Sequence, residues 1–335
     1  MPLVTSKEML VKAQQGKYAV GAFNANNMEM VQAVIQAADE ERSPVILQVS
    51  QGAIAYAGLE FASMLVKVAA ELASIPVVLH LDHGTDFFQN VRCLRAGFTS
   101  LMYDGSDTPL QDNIRVTAKI VEIAHSCGIP VEAELGKIPK IEDYEGMLPA
   151  DYDVNTKLPA DIQQQVASLM AKPEDVERFV AETGCDSLAA ALGSVHGMKS
   201  DVQPLNIERL QQIRKRTDIP LVLHGSSGVL RSRADADAKG IRLADYEGTV
   251  EDAIQHGICK INVATELSMT FLRGAREAWD KKPGEKDLRK VLKPGRDAVK
   301  EAVKAYIRQF GSAGKAADFV VQAQGIGGGE IKHHE

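Results

Sequence analysis

The sequence has few of the features that mark secreted, membrane or nucleic-acid-binding proteins. No signal peptide is expected at its start, and no apolar run approaches the ~20 residues needed to cross a membrane. The net charge of −7 argues against nucleic acid as a main partner. Only four cysteines are present, none in a C-x-x-C pair: Cys93, Cys127, Cys185 and Cys259. Such spacing favours reduced thiols in a cytoplasmic protein over a disulfide framework or a thiolate zinc site.

What is present is a regular alternation of short β-type runs and helix-type segments along 335 residues. This order predicts a parallel sheet, and eight repeats over ~250 residues predict an α/β fold, a single (β/α)8 TIM barrel. We expect one domain over residues 1–324 and a flexible Gly-rich C-terminal tail over residues 325–335. The predicted strands are Tyr18–Phe23, Val45–Val49, Pro76–Leu81, Phe98–Tyr103, Pro130–Leu135, Ser187–Leu192, Leu221–His224 and Ile258–Val263.

Four segments do not belong to the simple repeat. An N-terminal helix over Ser6–Gln15, with Thr5 and Glu8 as a capping box, and a C-terminal helix over Gly295–Phe310 are predicted. Each is expected to cover a barrel end or to contact another subunit. Residues 136–172 and 225–248 are too long for ordinary connections and are expected to be lids or binding loops.

Polar residues collect where the predicted strands end, which is the rim that carries the active sites of α/β barrels. His83, His196 and His224 are candidate zinc ligands, because a catalytic zinc takes three protein ligands and keeps one open position. Asp82 is expected to point away from His83, which would leave it free for proton transfer. It could instead orient an imidazole. His80, inside its strand, is expected to support the site or the core.

Glycine- and serine-rich turns at the same rim indicate a phosphate site, because glycines let backbone amides approach an oxyanion. Gly197 follows His196, the turn Gly225-Ser226-Ser227-Gly228 follows His224, and Asn262-Val263-Ala264-Thr265 opens a helix. Phosphate sites of this fold recur after strands seven and eight. The alternative is that these are only tight turns between strand and helix.

These residues stand in motifs that resemble the class II, metal-dependent fructose-bisphosphate aldolases, the family that also holds tagatose-bisphosphate aldolase. The resemblance covers about residues 18–293, and its motifs are VVLHLDHG (77–84), VEAELG (131–136), GSVHG (193–197) and LHGSSG (223–228). It implies reversible cleavage of fructose 1,6-bisphosphate to dihydroxyacetone phosphate and glyceraldehyde 3-phosphate, a reaction of glycolysis and gluconeogenesis. It also implies a homodimer or homotetramer.

The resemblance also implies roles for individual positions. Asp82 matches the acid/base that acts on the C4 hydroxyl, and Ser50 lies near the aldehyde product. The metal positions comprise the zinc ligands His83, His196 and His224, with Asp104 and Glu134 at a possible second divalent site. Substrate contacts, with Na⁺ or K⁺ often nearby, fall to Gly197, Gly225, Ser226, Ser227, Asn262, Val263, Ala264 and Thr265. Arg289 matches an arginine that reaches the second phosphate across a dimer interface.

The loop after strand five departs from the family, which usually has Gly-Gly-x-Glu there. Here the run is KIPKIEDYE over residues 137–145, without either glycine. By spacing Glu142 takes the position of the second catalytic acid, and Glu145 is its rival. Met198 and Ala264 replace a common Tyr and Asp. These differences leave the metal site intact and make another ketose 1-phosphate, such as tagatose 1,6-bisphosphate, the alternative substrate.

Two alternative functions, each from a different class of protein, are also compatible with the sequence. A zinc hydrolase on the same fold would commonly carry His-x-His at the end of the first strand, and this chain has Ala22-Phe23-Asn24 there. A non-catalytic sugar-phosphate-binding barrel would need the metal and phosphate groups but not Asp82.

Overall fold

A computed structural model of the chain describes residues 3–198 and 200–319. The residues 325–335 for which a flexible tail was expected lie outside this range. Eight parallel strands form one sheet: β1 Val20–Asn24, β2 Val45–Ser50, β3 Val77–Asp82, β4 Leu101–Tyr103, β5 Val131–Leu135, β6 Ser187–Ala190, β7 Leu221–Leu223 and β8 Ile258–Val263. Consecutive strands pair with one another except β3 with β4, and β8 also pairs with β1. Bridges from His80 to Ser100 and from Gly84 to Tyr103 close the sheet between β3 and β4.

Helices surround this barrel. They are α1 Ser6–Gln15, α2 Met28–Glu40, α3 Gln51–Ala57, α4 Leu59–Leu72, α5 Phe87–Arg95, α6 Leu110–Ser126, α7 Ala160–Ser168, α8 Pro173–Thr183, α9 Ile207–Arg214, α10 Arg233–Ala238, α11 Val250–Gln255, α12 Thr265–Lys281 and α13 Leu288–Gln309. The 3₁₀ turns are Ile141–Tyr144 and Lys315–Asp318, and Leu205–Asn206 pairs antiparallel with Glu247–Gly248. The predicted (β/α)8 barrel is confirmed.

Alternation along the strands separates two apolar cores. Outward residues such as Leu47, Leu79 and Ile261 pack with the surrounding helices. The inward residues near the strand starts, among them Ile46 and Val78, pack with Met9 and Leu10 of α1. The N-terminal helix therefore plugs the lower mouth of the barrel, and the inward positions above it are free to carry polar groups.

Two expectations about the added helices were wrong in detail. Thr5 does occupy the N-cap of α1, but its side chain makes no capping hydrogen bond. Helix α13 begins at Leu288, before the predicted start at Gly295, because the Asp287 carboxylate accepts from the Arg289 backbone N–H and starts the helix there. Helix α13 lies outside the barrel, against α2 and α12, and covers no barrel end.

Glycines let α12 and α13 cross closely. A Cβ on Gly274 would lie 2.9 Å from the Cα of Gly295, so neither position accepts a side chain without movement of a helix. Within the described residues no single helix is long and apolar enough to cross a membrane. One pair bent by 103°, α3 with α4, meets that test by length and composition alone.

Candidate active site

The carboxyl ends of the strands open into a cavity of about 660 Å³. Most of the predicted site residues line it: Ser50, Asp82, His83, Asp104, Glu134, Glu142, His196, Gly197, Gly225, Ser226, Ser227, Asn262, Ala264 and Thr265. Val263 does not line it, since its side chain is buried in the outer core. Arg289 does not line it either. Its side chain is 91% exposed at the start of α13 and pairs with Asp287 of the same chain.

Two imidazoles meet at the base of the cavity, where His83 lines it and His224 lies buried directly behind His83 without lining it. His83 Nε2 lies 3.1 Å from His224 Nδ1. The far nitrogen of each ring faces a carboxylate: His83 Nδ1 is 2.7 Å from Asp104 Oδ2, and His224 Nε2 is 2.9 Å from Glu132 Oε1. A carboxylate can only accept, so these contacts place a hydrogen on both far nitrogens. In the neutral rings, both facing nitrogens then carry lone pairs.

This arrangement favours a positive charge between the rings. Burial opposes a charged imidazole at His83, yet Asp82, Asp104 and Glu134 outweigh it and raise the pKa of His83 to about 10. A proton there would bridge the two rings, and a metal ion would satisfy the same lone pairs. Burial, with the charge of His83, lowers the pKa of His224 well below its usual range, and the neutral form is the one that binds metals.

An unpartnered carboxylate oxygen also fits a cation. Glu134 Oε2 is buried and has no hydrogen-bond partner among the described residues. It lies 3.4 Å from His224 Nδ1 and 3.8 Å from His83 Nδ1. Burial, followed by the charge of Asp104, raises the pKa of Glu134 to about 8. The donor set of imidazoles and carboxylates is one that zinc accepts.

Two overlapping groups of side chains have the spacing to hold an ion. One joins Asp82, His83 and His224, and the other joins His83, Asp104 and Glu134. His196 is in neither group, but its ring centroid lies 5.5 Å from that of His83 at the same cavity wall. Burial lowers the pKa of His196 to about 4, so its ring is neutral near pH 7.

The expected orientation of Asp82 was wrong. Strand β3 ends at Asp82, and His83 adopts a left-handed backbone with φ 48°, so both side chains turn into the cavity. Asp82 Oδ1 lies 4.0 Å from His83 Nε2. A non-glycine residue in this conformation costs on the order of 1–3 kcal/mol, and such strain concentrates at functional sites.

Amide side chains hold the Asp82 carboxylate in place. Asn24 Nδ2 donates to Asp82 Oδ2 at 2.7 Å, and Asn262 Nδ2 donates to Asp82 Oδ1 at 3.2 Å. Gln48 in turn donates to Asn24 Oδ1 at 2.9 Å. The sequence interpretation missed Asn24 and Gln48 as site residues. Their signal was present, since Asn24 ends β1 and Gln48 lies two residues before Ser50, on the same strand face.

The turns predicted to bind phosphate converge on one side of the cavity. Ser226 Oγ donates to the Asn262 backbone carbonyl at 2.5 Å, which joins the segments after β7 and β8. Gly197 and Gly225 have φ of 79° and 61°, a backbone that glycine adopts without strain. Ser50 caps α3 by accepting from the Ala53 N–H.

The loop after β5 places Glu142 over the site and Glu145 away from it. Both side chains are exposed, but only Glu142 lines the cavity: a Cβ on Gly197 would lie 3.3 Å from a Glu142 carboxylate oxygen, and Glu145 does not line the cavity. Backbone bonds from Ile141 N to His196 O and from His196 N to Pro139 O, each 2.9 Å, fasten the loop beside His196. Of the two candidates, the geometry favours Glu142.

A small apolar cluster supports this loop. It consists of Tyr144, Leu158, Ile162, Val166, Val195, Met198 and Val202. Met198, which departs from the family pattern, is therefore part of the packing beneath the loop. Lys137, Lys140 and Asp143 of the loop line the cavity and face the substrate space.

Comparisons with known proteins agree with this barrel and its rim. The model of the family "Fructose-bisphosphate aldolase class-II" matches residues 4–315. The fructose-bisphosphate aldolase of Geobacillus stearothermophilus is 42% identical over 95% of this chain and all of its own length. That of Thermus caldophilus is 41% identical over 94% of this chain and all of its own length. The crystal structure of the YdjI aldolase from Escherichia coli K12 has a TM-score of 0.72 at 32% identity, covering 94% of this chain and 99% of that one.

The fold and the site define a metal-dependent lyase on a (β/α)8 barrel. The chain belongs to the class II fructose-bisphosphate aldolase family.

Proposed function

We propose that this aldolase cleaves fructose 1,6-bisphosphate and that its metal is zinc. The observation that carries the proposal is the pair of facing imidazole nitrogens, 3.1 Å apart, beside the unpartnered oxygen of Glu134. His83, His196 and His224 would hold the zinc, and Asp104 with Glu134 would form a second divalent position. The names of relatives about 40% identical support the substrate.

The metal, when bound, polarises the ketone of the substrate and stabilises the negative charge that develops beside it. Asp82 accepts the proton of the C4 hydroxyl as the C3–C4 bond breaks, and Asn24 and Asn262 hold its carboxylate in line. Glu142 returns a proton to C3, which yields dihydroxyacetone phosphate.

The turns Gly225–Ser227 and Asn262–Thr265, with Gly197, bind the phosphate next to the ketone. A monovalent cation, Na⁺ or K⁺, is proposed beside them. Ser50, which lines the cavity at the end of β2, contacts the aldehyde product.

Tagatose 1,6-bisphosphate is the second candidate substrate, favoured by the atypical loop that lines the cavity through Lys137, Lys140 and Asp143. The two sugars differ in configuration at C4, the carbon whose hydroxyl faces Asp82. Side chains near C4 can therefore determine which of the two sugars is cleaved.

The test is an assay of zinc-loaded protein with both sugars, with and without EDTA. We expect release of dihydroxyacetone phosphate from fructose 1,6-bisphosphate, loss of release with EDTA and recovery with zinc. Release from tagatose 1,6-bisphosphate alone would overturn the substrate, and release unaffected by thorough chelation would overturn the metal mechanism.

We propose a homodimer, or a homotetramer built from it, in which Arg289 of one subunit reaches the second phosphate in its partner. The support is that Arg289 lies outside the cavity of its own chain and that α12 exposes an apolar stripe of Met269, Leu272 and Trp279. Analytical ultracentrifugation tests it. A monomer at micromolar concentration would contradict it.

We also propose that residues 1–324 act as one domain in the cytoplasm. One continuous apolar core from Ala19 to Phe310 supports the first point. The second is supported by the cysteines, all four of which are unpaired.

A further inference from the structure

A buried ion pair lies in the barrel interior directly beneath the site. Lys260 of β8 and Glu132 of β5 are each almost completely buried, and the Lys260 Nζ is 2.9 Å from Glu132 Oε2 and 3.0 Å from Glu132 Oε1. Both residues stand two positions before site residues, Asn262 and Glu134, on the same strand face. A pair of this kind is costly to bury, so stability alone is a weak reason for its presence.

Glu132 also contacts one of the two facing imidazoles. Its Oε1 lies 2.9 Å from His224 Nε2, and this contact is a hydrogen bond only when Nε2 carries the hydrogen. The lone pair of His224 is then on Nδ1, the nitrogen that faces His83 across the cavity.

One neighbour competes for the same nitrogen. Asn262 Nδ2 is 2.9 Å from His224 Nε2, and a bond from that amide would need the lone pair on Nε2 and the hydrogen on Nδ1. The two arrangements exclude each other. A hydrogen bond to a charged acceptor is about twice as strong as one between neutral groups, so Glu132 decides between them.

Lys260 makes this choice stable by balancing the charge of Glu132. Besides Glu132, the Lys260 ammonium has one polar contact among the described residues, with His80 Nε2 at 3.4 Å. His80 Nδ1 in turn lies 2.8 Å from Ser100 Oγ. The network therefore leads away from the cavity on one side and to His224 on the other.

We propose that Glu132, held by Lys260, is a positioning residue that fixes the metal-binding tautomer of His224. The inference rests on the proposed role of His224 as a metal ligand. Carboxylates that support a ligating histidine typically contribute about 10–100-fold to metal affinity.

The test measures zinc affinity by competition with a chelator in the full-length protein. The variant Glu132→Leu/Lys260→Met removes both charges together, so neither is left buried alone. We expect its zinc dissociation constant to rise by about 10–100-fold, and Glu132→Gln/Lys260→Met to lie between it and the wild type because Gln still offers an oxygen. Nitrogen-15 spectra of the metal-free wild type should show His224 protonated on Nε2.

Ser100→Ala is the matched control, since it removes a buried hydrogen bond at the far end of the same network. We expect it to leave zinc affinity unchanged. Wild-type zinc affinity in a folded Glu132→Leu/Lys260→Met protein would overturn the inference. So would an equal loss of zinc affinity in Ser100→Ala, or a hydrogen on His224 Nδ1 in the metal-free wild type. If Glu132→Leu/Lys260→Met does not fold, the zinc affinity of Glu132→Gln/Lys260→Met is judged by the same criteria. His224→Ala separates the two proposals: wild-type affinity there would refute the metal site itself.

Discussion

The floor and the roof of the cavity are built on different principles. The floor, defined here as Asp82, His83, Asp104, Glu134 and His224, stands at strand ends, where charged groups hold one another at hydrogen-bond distances. The roof, residues 137–148, is mostly exposed. Backbone bonds beside His196 and an apolar cluster under Tyr144 hold it in place. With the proposed roles, metal binding would depend on the register of the sheet, whereas the second proton transfer would depend on the packing of the loop.

The largest effect should follow from a change in the floor that spares the metal. Asp82→Asn is expected to lower kcat by about 10²–10⁴-fold, because the C4 hydroxyl loses its proton acceptor. Metal content should stay near that of the wild type. Steady-state kinetics with metal analysis tests both points.

Asp86→Asn is the matched control, because Asp86 is exposed and caps α5, which Asn also does, and its ion pair with Arg92 is at the surface. Full activity in Asp82→Asn would remove Asp82 from the mechanism and would favour the non-catalytic reading of the barrel.

The second effect tests the proposed catalytic acid of the roof, Glu142. Glu142→Gln is expected to slow hydrogen exchange at C3 of dihydroxyacetone phosphate by about 10²-fold, since that exchange needs the second acid–base group. Glu145→Gln should change it little, because Glu145 is exposed outside the cavity. Deuterium exchange followed by NMR measures this step. A larger loss of the exchange rate in Glu145→Gln than in Glu142→Gln would assign the acid–base role to Glu145 instead.

The smallest effect concerns the support of the roof. Tyr144→Ala removes a buried ring from the cluster under the loop and is expected to lower kcat several-fold while zinc affinity stays unchanged. Met147→Ala, at an exposed position three residues away, is its control. Lower zinc affinity in Tyr144→Ala would mean that floor and roof are not independent.

Sequence predicted that the floor residues lie at strand ends, because strand ends and period-two alternation are local signals; their proposed roles stay predictions. The same alternation places His80 with Asp82, Glu132 with Glu134, and Lys260 with Asn262 on the inner face of the barrel. Glu132 and Lys260 were nevertheless not predicted as site residues. A single sequence does not show that residues on β5 and β8 meet inside a closed barrel. The left-handed backbone of His83 was also not predicted, because a residue other than glycine rarely adopts it.

The roof was harder to predict for a physical reason. Helix α7 and the 3₁₀ turn at Ile141–Tyr144 lie in a stretch read only as a long polar loop. Their apolar residues are few and pack against Val195 and Met198, which are distant in sequence. Spacing alone left Glu142 and Glu145 as rivals, and only the structure, which places Glu142 beside Gly197 in the cavity lining and Glu145 outside it, separates them.

We propose that one catalytic metal binds between His83 and His224 of the floor and the neighbouring His196. An anomalous difference map from a crystal of the zinc-loaded protein, measured at the zinc absorption edge, tests it most directly. We expect a peak about 2.0–2.1 Å from His83 Nε2, from His224 Nδ1 and from a nitrogen of the His196 ring. A map with no peak there, or with a peak on Asp104 and Glu134 alone, would contradict it.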